Sequence, residues 1–157
     1  MKSRKLIQKF ALVPLSVAIS LLGACAAGKK DFVSCPQITA PIEGLSAFQR
    51  MDNSQEIVDI RFNGVRSVCD LRNDGSIKMA LAIGLKLKRL GDGESNDVVG
   101  IKIAIAVVDS YDVVLRTETT KFVTGFAKGD LLKYPAAEHK IIVNSGERVV
   151  LSLLPAP

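Results

Sequence analysis

The chain has 157 residues, enough for one domain with a substantial apolar core but too few for two such domains. Its 21 Lys and Arg residues outnumber its 16 Asp and Glu residues, for a net charge of +5. Four of the basic residues lie near the start, at Lys2, Arg4, Lys5 and Lys9, so the chain from residue 25 onward holds 17 basic and 16 acidic residues. This near-neutral balance excludes the basic type of protein that binds nucleic acid through its phosphates.

Residues 1–24 have the three parts of a secretory signal peptide. The basic residues come first, an apolar run of about 13 residues follows from Phe10 to Leu22, and small residues end it at Gly23 and Ala24. A transmembrane helix is the alternative, but it needs about 20 apolar residues, and this run is shorter and holds Pro14. We therefore expect residues 1–24 to be removed during export.

The end of this segment, Leu22-Gly23-Ala24-Cys25, resembles the lipobox of bacterial lipoproteins. The resemblance implies that Cys25 is lipidated and becomes the first mature residue, held at a membrane by acyl chains worth about 0.8 kcal/mol per buried methylene. In that family an aspartate directly after the cysteine favours retention in the inner membrane, whereas Ala26 stands here. The resemblance thus implies the periplasmic face of the outer membrane, with the periplasmic face of the inner membrane as the alternative.

Residues 25–34 are then a short tether of small and polar residues between the lipid and the domain. Once Cys25 carries lipid, Cys35 and Cys69 are the two remaining cysteines, and the periplasm is oxidising. We therefore predict a disulfide between Cys35 and Cys69 that pins the first strand to the strand bearing Cys69. A zinc or copper site is the alternative, but the chain has a single histidine, His139, and no Cys-x-x-Cys motif.

Alternating apolar residues predict strands through the rest of the chain. The first alternation, at Val58, Ile60 and Phe62, changes parity after Asn63-Gly64, where we expect either a turn or a β-bulge. The longest alternation predicts a half-buried strand over residues 77–87. Further strands are predicted at 101–107, 113–116, 121–126, 139–143 and 149–153, the first two of them joined as a hairpin through Asp109-Ser110-Tyr111-Asp112.

These strands, and the lack of a convincing amphipathic helix, predict a single all-β domain over residues 35–157. We expect an antiparallel two-sheet sandwich of about seven strands, immunoglobulin-like in outline. A small β-barrel is the alternative. The chain has no Trp to pack beside the disulfide, so the outline is expected without the hallmarks of antibody domains.

The lipobox and tether are followed by Cys35-Pro36, by a strand ending in Val65-Arg66-Ser67-Val68-Cys69, and by Ile105-Ala106-Val107-Val108-Asp109 leading to Val113-Val114-Leu115. Together these motifs resemble a largely uncharacterised group of small alphaproteobacterial envelope lipoproteins, whose central hairpin the last two segments match. The resemblance covers most of the mature chain and implies a compartment and a fold, but no activity. Its hairpin turn departs from the Pro- and Gly-rich turn usual in that group, since Ser110-Tyr111-Asp112 stands here.

Candidate sites for catalysis or metal ions are few. His139 is the sole histidine that could serve as base for a nucleophile, and we expect no catalytic role for it. Residues 91–97 carry the oxygen ligands of a calcium site but lack the order of a calcium-binding loop, so we favour a flexible loop. Lys86, Lys88 and Arg89 form a basic cluster that we interpret as a solvated strand face.

We therefore expect a non-enzymatic, lipid-anchored periplasmic β-sandwich, without a cofactor, that binds or braces a protein partner in the cell envelope through a strand edge or hairpin tip. One alternative is a module that binds a small molecule, a glycan or a metal, which requires a concave pocket with convergent polar groups. The other is a hydrolase in which the fold brings dispersed carboxylates together. Its candidate residues are Asp52, Glu56, Asp59, Asp70 and Asp74.

Overall fold

A computed structural model describes residues 33–155 of the chain. The predicted signal peptide over residues 1–24, the lipidation site Cys25 and most of the tether over residues 25–34 lie outside these described residues. Within residues 33–155, no helix has the length and apolar character needed to span a bilayer.

The described residues form nine strands and one short 3-10 turn at Ile42–Gly44. The strands are β1 (Ile38–Thr39), β2 (Ser46–Arg50), β3 (Ile57–Leu71), β4 (Ile77–Arg89), β5 (Asp97–Val108), β6 (Val114–Phe126), β7 (Leu132–Lys133), β8 (Ala136–Val143) and β9 (Arg148–Leu154). All but β1 and β7 have at least five residues, which leaves seven substantial strands. One of them, β2, is not among the strands predicted from the sequence.

The strands belong to two separate sheets. The large sheet has the order β2-β3-β4, and both β7 and β8 pair with the far side of β4, whereas the small sheet has the order β1-β9-β5-β6. Every pairing is antiparallel except that of β1 with β9. The chain passes from one sheet to the other after β1, β4, β6 and β8. The predicted all-β sandwich is confirmed.

Strand alternation places one side of each long strand in the core between the sheets. The inward side of β4 is buried over its full length, so the strand predicted at 77–87 is confirmed and continues to Arg89. Aliphatic side chains of the small sheet face it across the core. The central residues of this core are Met79, Leu81, Ile83, Leu85 and Leu87 on β4, Ile101, Ile103, Ile105 and Val107 on β5, and Val149, Leu151 and Leu153 on β9.

The structure decides two predicted interruptions of the strands: the first is one of the two expected alternatives, and the second is absent. Asn63-Gly64 is a bulge inside β3, because the pairing of β3 with β4 shifts between Phe62 and Val65 and Gly64 has a φ of +89°. The prediction of separate strands at 113–116 and 121–126 is wrong, because β6 pairs with β5 continuously through the residues between them. Those residues include three threonines, whose β-branched side chains suit a pleated strand despite their polarity.

The predicted disulfide between Cys35 and Cys69 is confirmed, with the two Cα atoms 5.4 Å apart. Cys69 lies near the end of β3, while Cys35 lies in the segment that precedes β1. The bond therefore holds the segment before β1 against the large sheet. Cys35 lies in this segment and not in the first strand, where the prediction placed it.

The sandwich has two different ends. Residues 33–37 enter at one of them, here called the N-terminal end, where the turns 72–76, 109–113 and 144–147 also lie. The loops 51–56, 90–96 and 127–131 lie at the opposite, distal end. The strands therefore separate the entry of the chain from a second group of loops by the length of β4.

The hairpin turn at 109–113 is built around one carboxylate. Asp109 accepts hydrogen bonds from the backbone N–H groups of Tyr111 at 2.8 Å and Val113 at 3.0 Å. Asp112 takes a positive φ of 66°, a conformation that Asp tolerates better than most residues. The predicted hairpin is confirmed, and its short polar turn needs neither Pro nor Gly.

Candidate functional site

A groove runs along β4 on the outer face of the large sheet. The outward residues at the middle of β4 are small, whereas the outward residues of β3 and β8 on either side are longer. The two rows that cross the groove are Val68–Ala80–Lys140 and Arg66–Ala82–Glu138. The resulting depression has a volume of about 640 Å³ and is open along the sheet.

The bulge of β3 covers β4 next to this groove. Gly84, the next small residue along β4, lies directly beneath the backbone of Asn63 and Gly64. A Cβ atom at position 84 would stand 2.8 Å from the carbonyl oxygen of Asn63 and 3.0 Å from that of Gly64. The change of alternation at Asn63-Gly64 thus corresponds to a bulge whose backbone covers β4, the strand that forms the floor of the groove.

Gly84→Ala is therefore expected to lower the free energy of unfolding by about 1–3 kcal/mol, because two backbone atoms of the bulge would have to move. Gly100→Ala in β5 is the matched control, since its Cβ would first meet the flexible end of Lys121 at 3.2 Å. We expect that control to change stability by about 0.5 kcal/mol at most. Urea unfolding measures both, and equal losses would contradict the close approach of the bulge to β4.

The outer face of the large sheet concentrates positive charge. The described residues hold 15 basic and 15 acidic side chains, since six basic residues and Asp31 precede residue 33. The outward basic side chains of the large sheet are Arg50, Arg61, Arg66, Lys78, Lys86, Lys88 and Lys140, and the acidic ones are Asp59, Asp70 and Glu138. Seven basic and three acidic side chains give this face a net charge of +4, and the remaining described residues carry a net charge of −4.

Few of these cations have an acidic partner. Arg61 forms an ion pair with Asp59 at 2.9 Å on the exposed surface. Among residues 33–155, the side chains of Arg66, Lys86 and Lys140 take part in no ion pair. Cations without partners in the same chain can attract an anionic group of another molecule. The positive charge of this face therefore favours binding of an anionic ligand.

Arg89 does not belong to the basic face. The interpretation of Lys86, Lys88 and Arg89 as one solvated face is wrong, because Arg89 is 2 % exposed and points into the sandwich. It forms a salt bridge with Glu56 and donates to the carbonyl oxygen of Ser95 at 2.9 Å. The sequence held the signal, since Arg89 has the parity of the buried residues of β4 and the two lysines have the opposite one.

Asp97, at the start of β5, makes a second connection to the distal loop 51–56. It is 3 % exposed. Its carboxylate accepts the backbone N–H groups of Asn53 at 3.0 Å, Ser54 at 2.6 Å and Val98 at 2.7 Å. Burial by itself raises the pKa of the Asp97 carboxyl, but the hydrogen bonds from Ser54, Asn53 and Val98 outweigh it, so this pKa lies well below the ordinary value of Asp.

Asp97→Asn is expected to cost about 2 kcal/mol of stability at neutral pH, because hydrogen bonds to a charged acceptor are each worth about 1.5–3 kcal/mol. The folded pKa is below the unfolded value of about 3.9, so the charged carboxylate stabilises the fold above that pH. This contribution is lost as the pH falls from there through the folded pKa. The stability difference between wild type and variant should therefore shrink below about pH 4. A stability difference that stays constant below about pH 4 would contradict the lowered pKa of Asp97.

The acidic groups of residues 91–97 have separate structural partners. Asp92 accepts the backbone N–H of Glu94 at 3.2 Å, and Glu94 forms an ion pair with Lys128 at 2.9 Å. The side chain of Asn96 accepts the N–H of Lys128 at 2.7 Å. In the part of the chain that the structure describes, no three His, Cys, Asp or Glu side chains come together as metal ligands. These residues connect the distal loops to one another.

His139 lies on β8, where the edge of the large sheet faces the edge of the small sheet. Its Nε2 atom is 3.0 Å from Oε2 of Glu118 on β6. Nearby, Arg116 of β6 donates a hydrogen bond to the carbonyl oxygen of Ile142 on β8. These contacts link the open edges of the two sheets.

The carboxylates considered for hydrolysis are not brought together as a pair by the contacts of the structure. Glu56 bonds Arg89, Asp59 bonds Arg61, and Asp74 accepts hydrogen bonds from the backbone and hydroxyl of Ser76. Asp70 faces outward on β3 opposite Lys78, with one carboxylate oxygen buried and without a hydrogen-bond partner among the described residues. These four carboxylates therefore have different environments, and the fifth, Asp52, is exposed in the turn after β2. The groove contains none of the five.

Sequence reasoning did not predict the groove. The small residues Ala80, Ala82 and Gly84 are visible between Lys78 and Lys86, but the walls come from β3 and β8, whose register with β4 the sequence does not reveal. The function is therefore inferred from geometry: comparisons of the chain with protein-family models, with curated proteins and with solved structures find no match.

Proposed function

We propose that this chain is a non-enzymatic periplasmic protein, anchored through lipid on Cys25, that binds an acidic segment of a protein partner in the cell envelope. The partner segment lies on the outer face of the large sheet. The observation that supports this proposal is the groove over Ala80 and Ala82, set in a face that carries a charge of +4.

The width of the groove favours an extended segment. Neighbouring strands in a sheet lie about 4.8 Å apart, so β3 and β8 flank the groove at a separation of roughly 10 Å. A helix with its side chains is about 10–12 Å across and would rest on the walls. An extended chain is narrower and can approach the small side chains of Ala80 and Ala82 along β4.

The charge of the face favours an acidic segment. Arg66 and Lys140 stand on opposite walls of the groove in neighbouring rows, so an incoming carboxylate placed diagonally between them meets two cations. Glu138, directly across from Arg66, is the single carboxylate of the lining. The rest of the described surface has the opposite net charge, which disfavours binding of the same segment elsewhere. Such complementarity contributes mainly to specificity and to the association rate.

The lining of the groove favours a protein segment over a sugar. The residues that line it are Arg66, Ser67, Val68, Ala80, Leu81, Ala82, Glu138, His139 and Lys140. No Phe, Tyr or Trp is among them, so the ring-stacking surface common in sugar-binding sites is missing from this groove. Val68 is 56 % exposed on the rim, which suits contact with an apolar side chain of a peptide.

Site-specific photocrosslinking in intact cells tests the proposal. A photoreactive amino acid replaces Val68 on the groove wall, and the matched control replaces Thr119, an exposed residue on the outer face of the small sheet. We expect a discrete protein adduct from position 68 and none of the same mass from position 119. The crosslinked peptide of the partner should be rich in Asp and Glu.

Reversing the charge of the groove residues distinguishes specific binding of a partner from accidental crosslinking. Arg66→Glu combined with Lys140→Glu should lower the adduct yield from position 68 about tenfold, equivalent to about 1.4 kcal/mol of binding free energy. Lys102→Glu with Lys121→Glu makes the same charge change on the outer face of the small sheet and should leave the yield unchanged. A yield insensitive to both pairs, or equal adducts from positions 68 and 119, contradicts the proposed site.

A further inference from the structure

The N-terminal end of the sandwich exposes apolar side chains. Tyr111, in the turn of the β5–β6 hairpin, is 86 % exposed, and Val113 beside it is 55 % exposed. Val114 on the same hairpin and Leu71 at the end of β3 are also exposed. The distal loops also expose apolar side chains, at Leu90 and Leu131, and scattered exposed apolar residues are ordinary in soluble proteins. The choice between the two ends therefore depends on where the chain enters the domain.

The hairpin tip keeps its shape without packing of these side chains. The carboxylate of Asp109 holds the backbone of the turn, as described above, and Asp112 pairs with Arg148 at the start of β9. Arg116 pairs with Glu147 in the adjacent turn at 3.6 Å. The charged groups nearest the tip are therefore paired, while Tyr111 and Val113 remain available to an external surface.

The path of the chain places this same end near the proposed lipid anchor. Residues 33–37 lie at the N-terminal end, and Cys25 precedes Val33 by eight residues. Eight residues reach at most about 28 Å when fully extended. β4, with 13 residues, is about 43 Å long at about 3.3 Å per residue, so the distal end cannot come as close without turning the domain over.

Resting on the proposed anchor at Cys25, we infer that the tip of the β5–β6 hairpin contacts the lipid surface to which the domain is attached. Tyr111 lies at the level of the lipid headgroups, where amphipathic aromatic rings are favoured, and Val113 lies against the acyl boundary beside it. The sandwich then stands upright on the membrane. In this orientation the groove on the large sheet faces sideways, open to a partner in the periplasm.

The lack of tryptophan in the chain allows a direct test with the full lipidated protein in phosphatidylcholine vesicles. Tyr111→Trp places the sole indole at the hairpin tip. Tyr134→Trp is the matched control, because Tyr134 is also exposed but lies between β7 and β8, beside the distal half of β4. Each variant is measured in vesicles with and without brominated lipid, whose bromines quench indole fluorescence only near the bilayer.

We expect brominated lipid to reduce the fluorescence of Tyr111→Trp roughly twofold, as for side chains about 5–10 Å into the interface, and to leave Tyr134→Trp unchanged. Vesicle-bound Tyr111→Trp that is not quenched would overturn the contact while leaving the anchor intact. Equal quenching of both variants would overturn the upright orientation. Failure of both variants to associate with vesicles would overturn the anchor and this contact with it.

Discussion

Arg89→Ala is expected to lower the free energy of unfolding by about 3–5 kcal/mol, the cost of breaking a buried ion pair from one side. The Arg89 side chain is fully buried, and it bonds Glu56 and the carbonyl oxygen of Ser95. Its removal leaves both acceptors without their donor and opens a cavity at the end of β4. The loops 51–56 and 90–96 lose this contact between them, while Asp97 still accepts the N–H groups of Asn53 and Ser54.

Urea unfolding of the variant measures this loss, with Arg61→Ala as the matched control. Arg61 also pairs with a carboxylate on the large sheet, but its side chain is 63 % exposed, and exposed pairs contribute little to stability. The two variants should therefore differ severalfold in their effect. Similar small losses for both would show that Arg89 is solvated and that its inward placement is wrong.

Loss of the disulfide is expected to be comparable in size. Replacing both Cys35 and Cys69 with Ser should lower the free energy of unfolding by about 3.7 kcal/mol, because the bond closes a loop whose ends are 34 residues apart. Residues 33–37 belong to no strand, and the N–H of Val149 on β9 donates a backbone hydrogen bond to the carbonyl oxygen of Gln37 at their end. The segment before β1 thus depends on the bond to stay against the large sheet.

A reducing agent provides the internal control for that measurement. It should destabilise the wild-type protein by about the same 3.7 kcal/mol and leave the double variant unaffected. If the wild-type protein and the double variant unfold at the same urea concentration, the pairing of β1 with β9 suffices to hold the segment, and the bond has no structural role.

The strand positions followed from the sequence where burial is one-sided. Alternation over residues 77–87 predicted β4 because every second side chain there is large and aliphatic. Residues 117–120 gave no such signal, because the middle of β6 has polar side chains on both faces. β6 is an edge strand of the small sheet. Edge strands bury less surface than central strands, so an apolar pattern is not needed to keep them in the sheet.

Asn63-Gly64 shows where local patterns leave a choice open. The pair suits a tight turn and also a bulge, because both require a positive φ that Gly adopts freely. The bulge forms because residues on both sides of it pair with the same strand, β4. That outcome depends on contacts between residues distant in sequence, as do the walls of the groove, and neither can be read from a local pattern.

The candidate site was the least predictable part for the same reason. Charges on β3, β4 and β8 combine into one basic face only through their register, although the whole chain from residue 25 is almost neutral. The inward position of Arg89, in contrast, could be predicted from the alternation of buried and exposed residues along β4 alone. A charged residue that keeps the parity of a buried strand face is best interpreted as a partner of a second buried group.

The proposed attachment at Cys25 underlies both the proposed function and the inferred orientation at the membrane, and one measurement tests it most directly. Cells are labelled with a radioactive or clickable fatty acid, and the wild-type chain is compared with Cys25→Ser by membrane fractionation and by mass spectrometry of the N-terminus. We expect the wild-type protein to be labelled, membrane-bound and cleaved before Cys25, and the variant to be unlabelled and not cleaved at that bond. A Cys25→Ser protein that is still processed, labelled and membrane-bound would contradict the lipid anchor.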